Sequence, residues 1–204
     1  MNTRLQVEHP VTEMVTGLDL VEWQLRVARG EPLPRVQDDV SLLGHAIEVR
    51  LYAEEPEQGF LPSTGPVHLF SLPESEGLRV DTGVESGDSV SPYYDAMVAK
   101  VIGYGDTRED ARRRLLSGLQ AGALLGLGNN RDFLIDVLDR EAFVRGEATT
   151  AFIGENYGDL FSRDELPTTI VAAAAVIQHV LAMTRGARLA PSVSAELLDW
   201  SSRG

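Results

Sequence analysis

Four polar side chains fall at every second position near the start of the sequence: Asn2, Arg4, Gln6 and Glu8. In an extended strand they share one face, with Thr3, Leu5, Val7 and His9 on the other. An arginine fork grips an oxyanion with two hydrogen bonds, a glutamine adds a neutral donor, and a glutamate accepts a proton, so the row suits a small planar acid. Asn2 offers a hard oxygen of the kind Mg²⁺ accepts, although one asparagine does not make a metal site. A second alternation starts at Gly44, with His45, Ile47, Val49 and Leu51 facing one way and Glu48 and Arg50 the other. Arg50 adds a fixed positive charge able to stabilise a developing anion. Read by physics alone, these residues describe an anion site. The plainer alternative is the solvated face of an edge strand that Pro10 ends.

The elements that must position this set follow from periodicity and punctuation. A helix is expected from Asp19 to Arg29, with Asp19 as N-cap, Leu18, Val21, Leu25 and Ala28 on one stripe, and Gly30 as the stop. Pro32 to Asp39 reads as a linker. After the strand from Gly44, shorter strands are expected at Val67 to Phe70, Leu78 to Asp81 and Met97 to Tyr104, separated by turns such as Pro62-Ser63-Thr64-Gly65-Pro66. That spacing suggests an antiparallel sheet. Thr107 and Asp110 resemble a capping box, and Ala111, Leu115 and Leu119 form an apolar stripe opposite Arg108, Arg112, Arg113 and Arg114, which reads as a solvated face. Asn130 is placed to cap a further helix that ends near Leu138. Pro167 suits a helix start, and Ile170 to Met183 is apolar on nearly every side, which calls for burial against another domain or subunit. Strands followed by helices give an α+β fold class.

Composition narrows the functions. The 204 residues carry 18 Lys+Arg against 31 Asp+Glu, a formal charge of −13, which disfavours nucleic acid as a partner. With 43% hydrophobic and 24% charged residues the chain has a globular composition. It contains no cysteine, which excludes disulfides and thiolate metal sites and suits a cytoplasmic protein. No apolar run reaches the roughly 18 residues of a membrane span, so no membrane partner is expected. Lys100 is the only lysine. Both ends read as cut rather than finished.

The run Met1-Asn2-Thr3-Arg4-Leu5-Gln6-Val7-Glu8-His9-Pro10-Val11-Thr12-Glu13 resembles the motif that closes the ATP-grasp domain of biotin carboxylases, including the biotin-carrying subunits of acyl-CoA carboxylases. The resemblance continues through Gly44-His45-Ala46-Ile47-Glu48-Val49-Arg50, Phe60-Leu61-Pro62-Ser63-Thr64-Gly65, Ser91-Pro92-Tyr93-Tyr94-Asp95 and Phe152-Ile153. In that family ATP activates bicarbonate and the carboxyl group passes to biotin. The resemblance implies that Glu8 is the base toward bicarbonate, that Arg4, Gln6 and the Val7 backbone bind that anion, and that Arg50 holds the anion and stabilises the biotin enolate. It places Asn2 in the shell of a Mg²⁺ (or Mn²⁺) ion.

The same resemblance implies three parts. Residues 1–39 are the C-terminal edge of an ATP-grasp domain, 40–160 the biotin carboxylase C-terminal domain, and 161–204 a helical connection toward a region that docks on the carboxyltransferase (beta) subunit. The family's metal-binding glutamate would stand just before Met1. ATP binding and biotin attachment are expected outside these residues, in a longer homo-oligomeric enzyme of the methylcrotonyl-CoA, propionyl-CoA or acetyl-CoA type, the first favoured, and the chain alone is expected to be inactive. Lys100 lacks an Ala-Met-Lys-Met context and reads as a surface lysine at a strand end. His9 and His45, on the apolar parity of their strands, read as core histidines. Two alternatives remain: a non-catalytic dimerisation or docking module, and a pyruvate carboxylase or carbamoyl-phosphate synthetase relative. The Asn-Thr-Arg and His-Pro-Val-Thr-Glu wording speaks against the latter pair.

Overall fold

The computed structural model describes residues 3–158, 161–162 and 168–189, with the side chains of the last helix described through Thr184. Asn2, the Pro167 helix start and everything from residue 190 lie outside the described residues. In order, the elements are α1 (His9–Thr16), α2 (Leu20–Ala28), a 3₁₀ turn (Gln37–Asp39), β1 (His45–Tyr52), β2 (Glu54–Glu55), β3 (Leu61–Pro62), β4 (Gly65–Pro66), β5 (Leu69–Ser71), β6 (Leu78–Thr82), β7 (Ser89–Val90), β8 (Met97–Gly105), α3 (Arg108–Ala121), β9 (Ala123–Leu125), α4 (Arg131–Asp139), α5 (Glu141–Val144), α6 (Phe152–Tyr157) and α7 (Thr168–Leu189). This is the α+β class, with antiparallel ladders throughout. The chain divides into two compact units, residues 1–162 and 163–204.

The first unit is organised by the sheet β1-β8-β6. Its register sets Val49 opposite Val101 and Val101 opposite Val80, while Arg50, Lys100 and Asp81 form the adjoining row. Because neighbouring residues of a strand point to opposite faces, one face is apolar and the other carries charge. The apolar face packs under α3 and α4, where Val101, Leu115, Leu119 and Leu138 are completely buried. Each such side chain contributes roughly 1.5–3 kcal/mol by leaving water. α3 lies so close to β8 that a Cβ on Gly103 would stand 2.3 Å from the Ala111 carbonyl oxygen. A second cluster, around Leu51, Val67, Val98 and Leu124, fills the space between the sheet and the short ladders.

α2 begins where the sequence predicts, with the Asp19 carboxylate accepting from the Glu22 N–H at 2.7 Å. Its expected apolar stripe is not buried among the described residues: Val21 and Leu25 are 41% and 59% exposed. The arginine face of α3 is only partly solvated. Arg112 is 8% exposed and donates to Leu138 O at 2.9 Å and to both Glu109 oxygens, while Arg108 donates to the carbonyls of Phe143 and Val144. These guanidiniums satisfy carbonyls at the ends of α4 and α5, where a cation also meets the negative end of the helix. The reading of that cluster as wholly solvent-facing is therefore corrected.

Asn130 does not cap α4 with its side chain. It is 4% exposed, accepts from Tyr52 N–H at 2.9 Å, and donates to Arg50 O at 3.2 Å and Glu54 Oε1 at 2.8 Å. It pins the end of β1 next to Arg50. α7 is longer than the expected Ile170 to Met183 helix, and among the described residues no helix is long and apolar enough to cross a membrane.

Candidate active site

Residues 3–8 are not the strand that their alternation predicts. A strand holds only where its N–H and C=O groups meet a neighbouring strand, and among the described residues none pairs with this segment. Instead His9 N–H donates to Gln6 O at 3.2 Å and Val11 N–H to Glu8 O at 3.1 Å, which turns the chain into α1. Pro10 stands in the first helical turn, where a missing N–H costs nothing. Gly17 ends α1 in the left-handed region, φ 69°, where a side chain would be strained. A bond from Leu43 N–H to Val15 O, 2.8 Å, fastens the helix to the approach of β1.

The polar row is nevertheless gathered in one place. Arg4, Gln6 and Glu8 all line an open groove of about 730 Å³, together with the apolar Trp23, Val27 and Leu33. Glu8, at the N-cap of α1, turns its carboxylate to Arg50, whose Nη2 donates to Oε2 at 2.9 Å. Both side chains of this pair stay about half exposed. Forty-two residues separate the two in sequence, so only the fold could join them. A basic fork, an amide and a carboxylate facing one groove can bind a small anion and take a proton from it. Among the described residues no group of three or more His, Asp or Glu side chains could hold a metal ion.

Beneath the segment lies a charged layer that sequence reasoning missed. Lys100 is not a surface lysine at a strand end: it occupies the middle of β8, its side chain is 14% exposed, and its Nζ reaches Val7 O at 3.4 Å, His9 Nε2 at 3.3 Å and Asp81 Oδ2 at 3.4 Å. Arg79 holds both Asp81 oxygens, at 2.8 and 2.9 Å, and donates to Glu13 Oε2 at 2.8 Å. Glu13, 7% exposed, also accepts from Leu20 N–H at 2.9 Å and faces His9 Nδ1 at 3.1 Å. Burial is the largest single influence and raises the carboxyls of Glu13 and Asp81. The lowering partners together outweigh it, Arg79, the Leu20 N–H and His9 for Glu13 and Arg79 with Lys100 for Asp81, and hold both below the ordinary range. His9 is thus a network residue on a helix, and His45 is exposed, so neither is a core histidine of a strand.

Glu48 shares the charged face of β1 with Arg50. Its Oε2 is buried without a hydrogen-bond partner. Burial pushes its carboxyl up to about 7, Lys100 and Arg50 pull against that, and Glu8 and Asp81 add to it. The signal for both missed residues was present in the sequence as parity: Glu48 and Lys100 interrupt apolar strands at positions that face the same way as Arg50.

Two family models match the chain. One, described as the biotin carboxylase C-terminal domain, covers residues 48–155, and the other, the carbamoyl-phosphate synthase L chain ATP binding domain, covers residues 1–36. The alpha subunit of mitochondrial methylcrotonoyl-CoA carboxylase from Rattus norvegicus is 45% identical over 185 residues, 90% of this chain and 25% of that protein. A biotin carboxylase from Halalkalibacterium halodurans is 52% identical over 153 residues, 75% of this chain and 34% of that protein. The chain therefore spans between a quarter and about a third of these relatives. Among solved structures, the biotin carboxylase subunit of a pyruvate carboxylase superposes with a TM-score of 0.77 at 40% identity, covering 80% of this chain and 36% of that one. The biotin carboxylase domain of a thermophilic 2-oxoglutarate carboxylase, bound to bicarbonate, superposes with a TM-score of 0.74 at 40% identity, covering 76% and 35%.

Proposed function

We propose, for a chain that belongs to the biotin carboxylase family, that it furnishes the bicarbonate side of an ATP-dependent carboxylation of biotin within an acyl-CoA carboxylase of the methylcrotonoyl-CoA type. The observation that carries this reading is the Glu8–Arg50 ion pair at the edge of the groove lined by Arg4 and Gln6. Arg4, Gln6 and the Val7 backbone bind bicarbonate. The Glu8 carboxylate takes its proton: the O–H bond breaks, the electron pair stays on the substrate oxygen, and that oxygen attacks the γ-phosphorus of ATP as the bond to the bridging oxygen breaks and ADP leaves. Arg50 orients Glu8 beforehand and faces the negative charge that the proton leaves behind. Biotin, carried on another part of the enzyme, would supply the nitrogen that accepts the carboxyl group.

The parts follow the same division: residues 1–39 complete an ATP-grasp domain, 40–160 form the C-terminal domain, and 161–204 lead toward the carboxyltransferase subunit. The nucleotide and its metal belong mainly to residues beyond this chain. Asn2 would join the metal shell, and among the described residues no group of three or more His, Asp or Glu side chains could hold the ion by itself. A cysteine-free composition suits the cytoplasm, while several relatives carry the word mitochondrial in their names.

The test joins the intact 204-residue chain to the part of the Halalkalibacterium halodurans biotin carboxylase that its match leaves uncovered. Bicarbonate-dependent ATP hydrolysis that Glu8→Gln abolishes supports the reading, and a folded fusion that lacks it refutes it. The second reading, a docking module in a homo-oligomer, is favoured by α7, where Ile170, Val176 and Leu181 are each more than half exposed. Light scattering that finds a monomer, with and without a carboxyltransferase subunit, rejects it.

A further inference from the structure

We infer that Lys100 is a positioning residue for the anion site, its ammonium holding the Val7 carbonyl and thereby fixing the turn that carries Gln6 and Glu8 into the groove. The inference rests on the function proposed above.

Five side chains close a ring between the sheet and α1. Lys100 reaches Asp81 at 3.4 Å, Asp81 accepts from Arg79 at 2.8 Å, Arg79 donates to Glu13 at 2.8 Å, Glu13 faces His9 at 3.1 Å, and His9 returns to Lys100 at 3.3 Å. Lys100 and Arg79 set two positive charges against the two negative charges of Asp81 and Glu13, which is how a half-buried group of ions avoids a large desolvation cost. An ammonium has three donors and no acceptor, and two of them point at ring members. The third reaches the backbone oxygen of Val7, 3.4 Å away and 93 residues distant in sequence. That contact leaves the ring and enters the catalytic segment.

Its location gives it leverage. Val7 is flanked by Gln6 and Glu8, both of which line the groove, and the segment has no strand partner among the described residues to fix it. A carbonyl held from below sets the Val7–Glu8 peptide plane, and that plane sets where the Glu8 side chain leaves the backbone. Lys100 itself is fixed by the ladder, lying opposite Arg50 on one side and Asp81 on the other. The same strand pairing that places Arg50 therefore places the group that aims its partner Glu8.

The test uses the fused enzyme described above. Lys100→Met is expected to raise KM for bicarbonate about tenfold or more with KM for ATP within about twofold, and Lys100→Arg to recover at least half of that loss. An unchanged KM for bicarbonate overturns the inference, and so does an equal rise for both substrates, which would mark general support of the fold. If Lys100→Met does not fold, the charge-balanced pair Lys100→Met with Asp81→Asn is judged by the same split. In the 204-residue chain itself, the carbonyl ¹³C shift of Val7 is expected to move in Lys100→Met and return toward wild type in Lys100→Arg. No movement there overturns the inference whatever the enzyme does. A wild-type fusion without bicarbonate-dependent hydrolysis refutes the proposed function instead.

Discussion

Arg50 and Lys100 stand directly opposite each other in the β1–β8 ladder, two cations on one face of one sheet. Like charges so placed repel, and each is answered by its own anion: Glu8 for Arg50 and Asp81 for Lys100. The two pairs diverge, one toward the groove and one into the layer below. The pair at the groove and the pair beneath it thus share two neighbouring strands.

The Glu8–Arg50 pair is half exposed, so it adds less than about 1 kcal/mol to stability. Glu8→Gln and Arg50→Ala in the fused enzyme should lower kcat/KM for bicarbonate by about 10² or more, while KM for ATP and the melting temperature hardly change. Steady-state kinetics with each substrate varied, beside thermal melts, checks this. A parallel loss of ATP affinity would contradict the roles given.

Glu48 makes stability depend on pH. Its carboxyl, pushed up from 4.5 to about 7, binds more protons folded than unfolded across that window, so its contribution is fully present below pH 4.5 and is lost as pH rises through about 7. Glu48→Gln should therefore stabilise the protein at pH 8, by on the order of 2 kcal/mol once partial exposure is discounted, and have little effect at pH 4.5. Urea titrations at the two pH values decide it. Glu13 and Asp81, held low, act in the opposite sense: their contribution is present above the ordinary carboxylate range and fails in acid.

Asn130→Ala removes three hydrogen bonds at once and leaves the Tyr52 N–H and the Arg50 carbonyl without that partner. A loss of about 2–4 kcal/mol is expected. Chemical denaturation measures it. A loss under 1 kcal/mol would mean that water replaces the amide.

Gly103→Ala drives a methyl group against the Ala111 carbonyl. Separating α3 from β8 by that much should cost about 1–3 kcal/mol, and the buried Leu115→Ala about 2–5 kcal/mol. Both are read from denaturant midpoints. The glycine is needed here for its lack of bulk.

Much of this arrangement is legible in the sequence. The Asp19 cap, the Thr107 cap, the alternation of β1 and the antiparallel sheet follow from local periodicity, because each is decided within a few residues. The row Arg4, Gln6, Glu8 names the right side chains for the wrong backbone. Alternation is shared by any segment that shows every second residue to one side, and it takes a pairing partner to make such a segment a strand. Lys100, Glu48 and Asn130 escaped because their meaning lies in contacts 76 to 93 residues away or in burial, neither of which periodicity reports. Arg112 misled for the same reason: a charged residue on the polar side of a helix is covered when another helix end needs its donors.

The ring around Lys100 also bears on how the chain finds its fold. A β8 slipped by one residue would bring Lys100 beneath α3 among Val49, Val80 and Leu115, and set Val101 among the carboxylates. Such a slip strands an ammonium in an apolar layer and leaves Asp81 without its lysine, an error far costlier than misplacing one valine. The lone lysine thereby ties the register of β8 to its neighbours, since only the native alignment gives the ammonium its anion and the apolar layer its valine.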